Sequence, residues 1–250
     1  MISTNLFNIF CYIWLGLAGI TFVALQFVTA PYGRHIKKGW GSLIPNQLGW
    51  FLMELPSFTI VFLCWIWSES SNYAQMLFGI WSMHYFFRTF VFPFRIKTRG
   101  KKMPISIMWS GVFFNIINAG INAYYLSVLE HYSSDDFFSW KFYLGAFLFI
   151  TGFLGNQISD TILIRLRTDK DQSYKIPQGF LFKYVSCPNH FCELMEWAGF
   201  ALMAWNLPAL CFLAWTAANL LPRARKHHQW YLNHFPDYPK NRKSIIPFIL

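Results

Sequence analysis

The hydrophobic positions of the chain form long apolar stretches, and short charged or polar segments separate them. Because the hydrocarbon core of a bilayer requires about 20 apolar residues per helix, we interpret each stretch as a transmembrane helix. The pattern predicts seven spans, at residues 6–29, 48–67, 74–94, 105–128, 137–164, 191–205 and 207–221. The last two are short and meet at Asn206-Leu207-Pro208, which favours a tight helical hairpin because proline is tolerated in the first turn of a helix. Residues 1–4 carry no Lys or Arg and no small-residue cleavage site follows, so we expect an uncleaved first helix and not a signal peptide.

The composition supports an all-α, polytopic membrane protein. Apolar residues make up 55% of the 250 positions and aromatic residues 21%, whereas charged residues make up 13%, about half of the roughly 25% that is usual in globular domains. A soluble fold of this size could not cover so much apolar surface, so lipid must cover it. The five cysteines are too few for a disulfide scaffold. We see no internal repeat or linker and expect one membrane domain over residues 1–250.

The net charge of +10 comes from a one-sided distribution of Lys and Arg. All 21 basic residues except Arg88 and Lys141 lie after the first, third, fifth or seventh predicted span. They are Arg34, Lys37, Lys38, Arg95, Lys97, Arg99, Lys101, Lys102, Arg165, Arg167, Lys170, Lys175, Lys183, Arg223, Arg225, Lys226, Lys240, Arg242 and Lys243. The opposite segments carry Glu69, Glu130, Asp135 and Asp136. The positive-inside rule then predicts an outside N-terminus and a cytosolic C-terminus, and since topology explains the charge, we expect no nucleic-acid partner.

Ionisable residues inside the spans indicate a function, because they are costly in lipid and usually face a cavity or a partner. Glu54 lies well inside the second span, where it is either a proton donor or acceptor in a site, a structural partner of Arg88, or a snorkelling side chain. Tyr85 and Arg88 are three residues apart and share a helix face. Tyr85 is then either an interfacial anchor or a proton donor beside the buried glutamate.

Polar residues also recur at helical spacing near the cytosolic ends of the later spans. They form three groups: Asn156 with Asp160; Asn189 with Glu193, Glu196 and Trp197; and Arg223 with His227 and Tyr231. Each group alone fits helix capping or a salt-bridge network. Their convergence on one cytosolic mouth favours a large, anionic, polar ligand.

Several known sites are excluded or disfavoured by the motifs. Gly39-Trp40-Gly41 is followed by Ile44 where a third glycine should stand, and no βαβ unit surrounds it, so a Rossmann site is excluded. Cys187, His190 and Cys192 lack an obvious fourth partner, so we expect no metal. The sequence contains no Gly-x-Ser-x-Gly elbow and no Walker motif.

Nearly the whole chain resembles the membrane steroid 5α-reductase family. The stretches that carry the resemblance are residues 54–58, 84–90, 156–167, 173–179, 193–197, 235–243 and 246–248. The resemblance implies a seven-helix membrane reductase that uses NADPH to saturate the C4–C5 double bond of a 3-oxo-Δ4-steroid. One departure is Met53, because the family's steroid reductases usually carry Gln before the glutamate.

The resemblance also implies residue roles. Glu54 and Tyr85 would hold the C3 carbonyl of the steroid. The cofactor contacts would be Asn156, Asp160, Arg167, Tyr174, Asn189, Glu193, Glu196, Trp197, Arg223, His227, Tyr231 and Arg242. The substrate side would then lie mainly in the first four spans, and the cofactor side in the last three spans and the cytosolic loops.

The chemistry of the residues agrees with this assignment. Hydride addition to an enone builds negative charge on the carbonyl oxygen, so hydrogen-bond donors there accelerate it. Glu54 can donate only in its protonated form, which an apolar cavity favours, and Tyr85 offers a second donor. We expect a steroid or similar lipid enone to enter from membrane lipid and the charged cofactor to enter from the cytosol. We expect no obligate protein partner, and a multi-pass location in a bacterial inner membrane or the endoplasmic reticulum.

Three alternatives stay open. A membrane methyltransferase of the isoprenylcysteine type would bind S-adenosylmethionine at a C-terminal site, although the supply of Arg and Lys favours the 2′-phosphate of NADPH. A non-enzymatic transporter or sterol-binding protein is the second alternative; transporters often show internal repeats, and none is visible. A reductase could also act on an enoyl-CoA or polyprenol.

Overall fold

The computed structural model describes residues 2–31, 33–35, 39–97, 100–167 and 173–250. All seven predicted apolar stretches are helical. The helices are α1 (Thr4–Phe27), α2 (Asn46–Trp67), α3 (Asn72–Phe86), α4 (Phe92–Arg95), α5 (Ile105–Tyr124), α6 (Trp140–Arg165), α7 (Pro188–Ala204) and α8 (Leu207–His234). Of the basic residues that predict the topology, Lys37, Lys38, Arg99 and Lys170 lie outside the described residues.

Four helices in the described part of the chain are long and apolar enough to cross a membrane. They are Thr4–Phe27, Asn46–Trp67, Ile105–Leu129 and Trp140–Arg165. Their apolar side chains are widely exposed, as in α1, where Leu6, Ile13 and Ile20 are each at least 59% accessible. In water such a surface would be strongly unfavourable, and a lipid environment removes that cost.

The structure corrects the predicted elements in three places. The all-α expectation missed a small antiparallel sheet, in which β1 (Leu43–Pro45) pairs with β2 (Lys102–Pro104). The last helix continues beyond the predicted span, from residue 221 to His234. Polar residues at helical spacing follow the apolar stretch there. The fifth predicted stretch starts at residue 137, but helix α6 begins at Trp140. Ser139 caps that helix, and residues 134–138 form a 3₁₀ turn before it.

A π-helical turn, Phe87–Val91, joins α3 to α4 without interrupting the helix. Pro93 stands at the start of α4 and has no N–H to donate to the preceding turn, so the wider turn accommodates it. Such turns often occur at functional sites. Here the turn contains Arg88.

Helices α6 and α7 pack backbone against backbone. A Cβ added to Gly152 would collide with the main chain of Cys192 and Glu196, and one added to Gly199 would collide with the main chain of α6. Small residues allow this close approach between membrane helices. The contact fixes the positions of the polar residues of the two helices relative to each other.

The α7–α8 connection has the predicted hairpin geometry. Trp205 adopts a left-handed conformation with φ of 43°, and the Asn206 side chain accepts a hydrogen bond from the Ala209 N–H. Pro208 occupies the first turn of α8, as the sequence predicts. Near the other end of α8, the Ser186 Oγ lies 2.6 Å from His228 Nδ1 and 2.7 Å from the Tyr238 hydroxyl, which fastens the C-terminal segment to the helix.

Candidate active site

A cavity of about 500 Å³ opens where the helix ends meet the basic segments. Its wall is formed by the start of α2, the π turn with α4, the end of α6, the start of α7 and the second half of α8. The predicted cofactor residues that line it are Asp160, Arg167, Tyr174, Asn189, Glu193, Arg223, His227 and Tyr231. Members of each of the three groups that were predicted to converge at one mouth therefore line one cavity.

The charge of the cavity wall is strongly positive. The basic lining residues are Arg88, Lys97, Lys101, Lys102, Arg167, Lys175 and Arg223. The acidic lining residues are Asp160 and Glu193. A wall with this excess of cations concentrates and holds a polyanion.

Tyr174 forms part of the mouth between two of these cations. Its ring lies 5.0 Å from Lys101 Nζ and 5.5 Å from the Arg167 guanidinium, and it meets Trp230 edge to face. Cations over an aromatic face are attracted to it. The tyrosine thus brings together basic residues from two separate loops.

Arg88 connects the cavity with a deeper polar site. Its guanidinium nitrogens lie 3.9 Å from Glu54 Oε1 and 3.7 Å from Asp160 Oδ2. The guanidinium carbon also lies 4.7 Å from the Phe92 ring and 5.5 Å from the Trp50 ring. The Glu54–Arg88 pairing that the sequence left open as an alternative is present, and it continues to Asp160.

Glu54 and Tyr85 lie behind Arg88, and both are buried. The Glu54 Oε2 accepts from Asn115 Nδ2 at 3.4 Å, and Asn115 Oδ1 accepts from the Ser57 hydroxyl at 3.0 Å. Trp81 Nε1 donates to the Ser57 carbonyl at 3.3 Å, and the Tyr85 ring stacks against Trp81. The predicted acid and phenol are therefore joined through Ser57 and Trp81, although neither lines the cavity itself.

Asn156 belongs to a network between α6 and α7. Its Nδ2 donates to the Asn189 carbonyl at 3.0 Å and to Glu193 Oε2 at 3.5 Å, and Asn189 Nδ2 donates to Asp160 Oδ1 at 3.2 Å. Asn156 is 1% exposed and lies behind the wall. It holds wall residues in place by contacts that also join the two helices.

Three other predicted cofactor residues lie away from the cavity. Glu196 is completely buried and lies 2.6 Å from His84 Nδ1, and Trp197 packs against Trp81 in the aromatic core. Arg242 donates to the Pro177 carbonyl at 3.0 Å and to Gln178 Oε1 at 2.9 Å. In this structure Arg242 supports the loop that carries Tyr174, and the other two build the interior.

Asn115, Trp50 and the lysines of the α4–β2 segment also contact or line the site, and their sequence pattern alone predicted no role in it. Asn115 could have been noticed, because Asn115, Asn118 and Asn122 recur at helical spacing inside an apolar stretch. The lysines were counted only for topology. Among the described residues, no group of three or more His, Cys, Asp or Glu side chains is placed to hold a metal ion.

Comparison with known proteins gives consistent matches. A family model described as 3-oxo-5-alpha-steroid 4-dehydrogenase matches residues 101–250. The chain is 38% identical to Steroid 5-alpha-reductase DET2 of Arabidopsis thaliana over 258 residues, covering 99% of this chain and 98% of the relative. It is 39% identical to the protein of that name from Gossypium hirsutum over 238 residues, covering 92% of each. It is 40% identical to 3-oxo-5-alpha-steroid 4-dehydrogenase 1 of Mus musculus over 243 residues, covering 94% and 93%.

Proposed function

The chain belongs to the 3-oxo-5-alpha-steroid 4-dehydrogenase family, and we propose that it uses NADPH to reduce the C4–C5 double bond of 3-oxo-Δ4-steroids. The observation that carries the proposal is the position of Arg88. It lies between a buried acid–phenol cluster suited to a carbonyl and an open basic cavity suited to a polyanion. Arg88 would therefore lie between an apolar steroid, held at its carbonyl, and an anionic nucleotide, held in the basic cavity.

The donor set of the cavity fits NADPH. The phosphates require cations, and Arg167, Lys175 and Arg223 are among those that line the wall. The neutral polar groups of the cofactor require hydrogen-bond donors and acceptors. Beside Arg88, these are offered by Asp160, Asn189 and Glu193. We assign these six residues to cofactor binding, and Asn156, Glu196, Trp197 and Arg242 to the support of that site.

Bound NADPH would supply a hydride to C5 of the enone, and the enolate left by this addition would take up a proton from solvent at C4. Glu54 and Tyr85 hold the C3 carbonyl oxygen by hydrogen bonds, and these strengthen as negative charge develops on it. Arg88 stands within 4 Å of the Glu54 carboxyl and adds positive potential. The buried aromatic residues around Tyr85 exclude water from the carbonyl end of the site.

We further propose that the chain crosses the membrane seven times, with the N-terminus outside and the C-terminus in the cytosol. Trp67, Trp140 and Trp205 stand at the α2, α6 and α7 ends remote from the cavity and are 82%, 62% and 60% exposed. This arrangement is typical of the aromatic belt at a membrane interface. The proposed protein is a single multi-pass domain whose substrate enters from lipid and whose cofactor enters from the cytosol.

The first experiment tests the activity of the purified protein with testosterone or progesterone. NADPH absorbance should fall, and the product should gain the mass of two hydrogens. NADPH should be preferred to NADH. Methyl transfer from S-adenosylmethionine in place of reduction, or binding without turnover, would contradict the proposal.

The second experiment tests Glu54 and Tyr85. Glu54→Ala should lower kcat by roughly 10²–10³, the range for one lost oxyanion donor, with NADPH affinity nearly unchanged. Glu54→Gln should fall between Ala and the parent if hydrogen bonding alone matters, and should match Ala if proton donation matters. Tyr85→Phe should also lower kcat, and the double variant should be less than additive. Glu69→Ala, at an exposed glutamate of the opposite end, is the control, and parental kcat in Glu54→Ala would remove Glu54 from the mechanism.

The third experiment tests Arg167. Arg167→Ala should raise the KM for NADPH more than it lowers kcat, because a lost phosphate contact weakens binding in the ground state and transition state alike. The matched control is Lys183→Ala, at an exposed lysine that does not line the cavity. If both variants behave as the parent does, Arg167 does not contact the cofactor.

A further inference from the structure

Asn115 occupies an unusual place for an asparagine, in the middle of the apolar helix α5 and 5% exposed. Its Nδ2 donates to the Met53 carbonyl at 2.6 Å and to Glu54 Oε2 at 3.4 Å, and its Oδ1 accepts from the Ser57 hydroxyl at 3.0 Å. All three contacts go to α2. An unpaired amide would be costly at this depth, so the three partners fix the side chain in one orientation.

The orientation of the amide follows from the partners. The Met53 carbonyl can only accept, so the atom 2.6 Å away must be the NH₂ group of Asn115. A flipped amide would place two oxygens against each other there. The NH₂ group therefore also faces Glu54 Oε2, and Asn115 must act as a donor toward the carboxyl.

A donor at Oε2 determines which oxygen of a neutral Glu54 carries the proton. The oxygen that accepts from the amide is the carbonyl oxygen of the carboxyl group, and the hydroxyl proton stays on Oε1. Oε1 lies 3.9 Å from Arg88, beyond hydrogen-bonding distance, and is thus available to donate to a substrate.

The side chain at position 53 does not make this contact. Met53 lies across Gly111 of α5, where an added Cβ would be 2.8 Å from Met53 Cγ. Gly111 and Asn115 are one helical turn apart, so the same face of α5 receives the thioether and supplies the amide. The amide beside Glu54 comes from α5 and not from α2.

We infer that Asn115 is a positioning residue that holds Glu54 with its proton on the oxygen that faces the substrate. The inference rests on the proposed function for its effect on turnover, but the contact itself can be measured without turnover. Asn115 need not touch the steroid to act in this way.

The kinetic test compares Asn115→Leu and Asn115→Asp with the parent. Leu removes the amide donor and its acceptor together, whereas Asp keeps the shape and replaces the NH₂ group by a carboxyl oxygen. Both should lower kcat for the enone about tenfold, the effect of one lost hydrogen bond to a critical group, while the KM for NADPH stays within about twofold. In a Glu54→Gln background the same substitutions should have little further effect, since the residue acts through Glu54.

The control is Asn118→Leu. Asn118 is also fully buried on α5, but its Oδ1 accepts from Trp14 Nε1 of α1 at 3.1 Å. We expect this variant to lower the melting temperature and to keep the parental kcat. If Asn115→Leu keeps the parental kcat, or lowers it equally with and without Glu54→Gln, the inference is wrong.

A spectroscopic measurement separates this inference from the proposed function. The infrared band of Glu54 is the carboxyl band that disappears in Glu54→Gln, and it should shift in frequency in Asn115→Asp and Asn115→Leu but not in Asn118→Leu. This result does not require turnover. If the parent protein reduces no enone, the proposed function is wrong, but the infrared band still tests the contact between Asn115 and Glu54. A band that is unchanged in Asn115→Asp and Asn115→Leu would overturn the inference.

Discussion

Arg88→Met removes the cation that lies between two buried carboxyl groups while keeping most of the length of the side chain. The side chains of Arg88, Glu54 and Asp160 are 13%, 11% and 9% exposed, so water screens this group of charges weakly. Methionine leaves both acids without a cation. We expect the variant to be destabilised and to lose turnover.

The size of the destabilisation follows from the geometry. Removing one partner of a well-formed buried ion pair costs about 3–5 kcal/mol, because the other charge is left uncompensated. The distances of 3.7 and 3.9 Å exceed those of charge-assisted hydrogen bonds, so we place the cost lower, at about 2 kcal/mol. For a chain of this length that corresponds to a fall in melting temperature of roughly 4–8 °C.

The assay is thermal unfolding of the purified protein in detergent, followed by circular dichroism. Arg88→Met combined with Asp160→Asn should recover part of the lost stability, because the Asp160 carboxylate that Arg88→Met leaves uncompensated is then replaced by a neutral amide. Turnover should not recover, since the cation beside Glu54 is still missing. A melting temperature of Arg88→Met equal to that of the parent, or no recovery in the double variant, would refute the reasoning.

Two further predictions concern packing and pH. Gly152→Ala should lower the melting temperature and weaken NADPH binding, because the added Cβ forces α6 away from α7, whereas Gly120→Ala, with open space around it, should do neither. The pKa of His228 is lowered by burial and by nearby Lys243, so the unfolded chain takes up the proton more readily than the folded one. The melting temperature should be constant above about pH 6.5 and should decrease as the pH drops below that value. His228→Asn should make this decrease smaller. An equal decrease in the variant would exclude His228 as its cause.

The helices were predictable because apolar length is a property of each segment alone. Every predicted span is helical, and the α7–α8 hairpin forms at Pro208 as expected. Helix α8 extends beyond the predicted span, which ends where hydrophobicity stops, and Arg223, His227 and Tyr231 at intervals of four lie in this extension. The strands β1 and β2 have three residues each and stand in short segments with no alternating pattern, so nothing local predicts their pairing.

The site was predictable where its residues repeat along one helix and unpredictable where two helices must touch. Asp160 and Arg223 were placed at a common mouth by helical spacing, and the cavity confirms this placement. The pairing of Glu196 with His84 depends on a contact between α3 and α7, across 112 positions of sequence. The sequence alone cannot show which helices are neighbours, so it could not distinguish a Glu196 that pairs with His84 from a Glu196 that contacts the cofactor.

The depth of the polar residues explains why the two proposed ligands meet at Arg88. Glu54 is eight residues from the start of α2, which is about 12 Å along the helix, and Asp160 is five residues from the end of α6, about 8 Å. Arg88 contacts both, and among the described residues no other side chain forms an ion pair with both acids. A carbonyl held by Glu54 and a nucleotide held at Asp160 would therefore approach each other beside this guanidinium. The reaction would then take place below the headgroups, where an apolar substrate can stay in lipid while the charged cofactor stays connected to the cytosol.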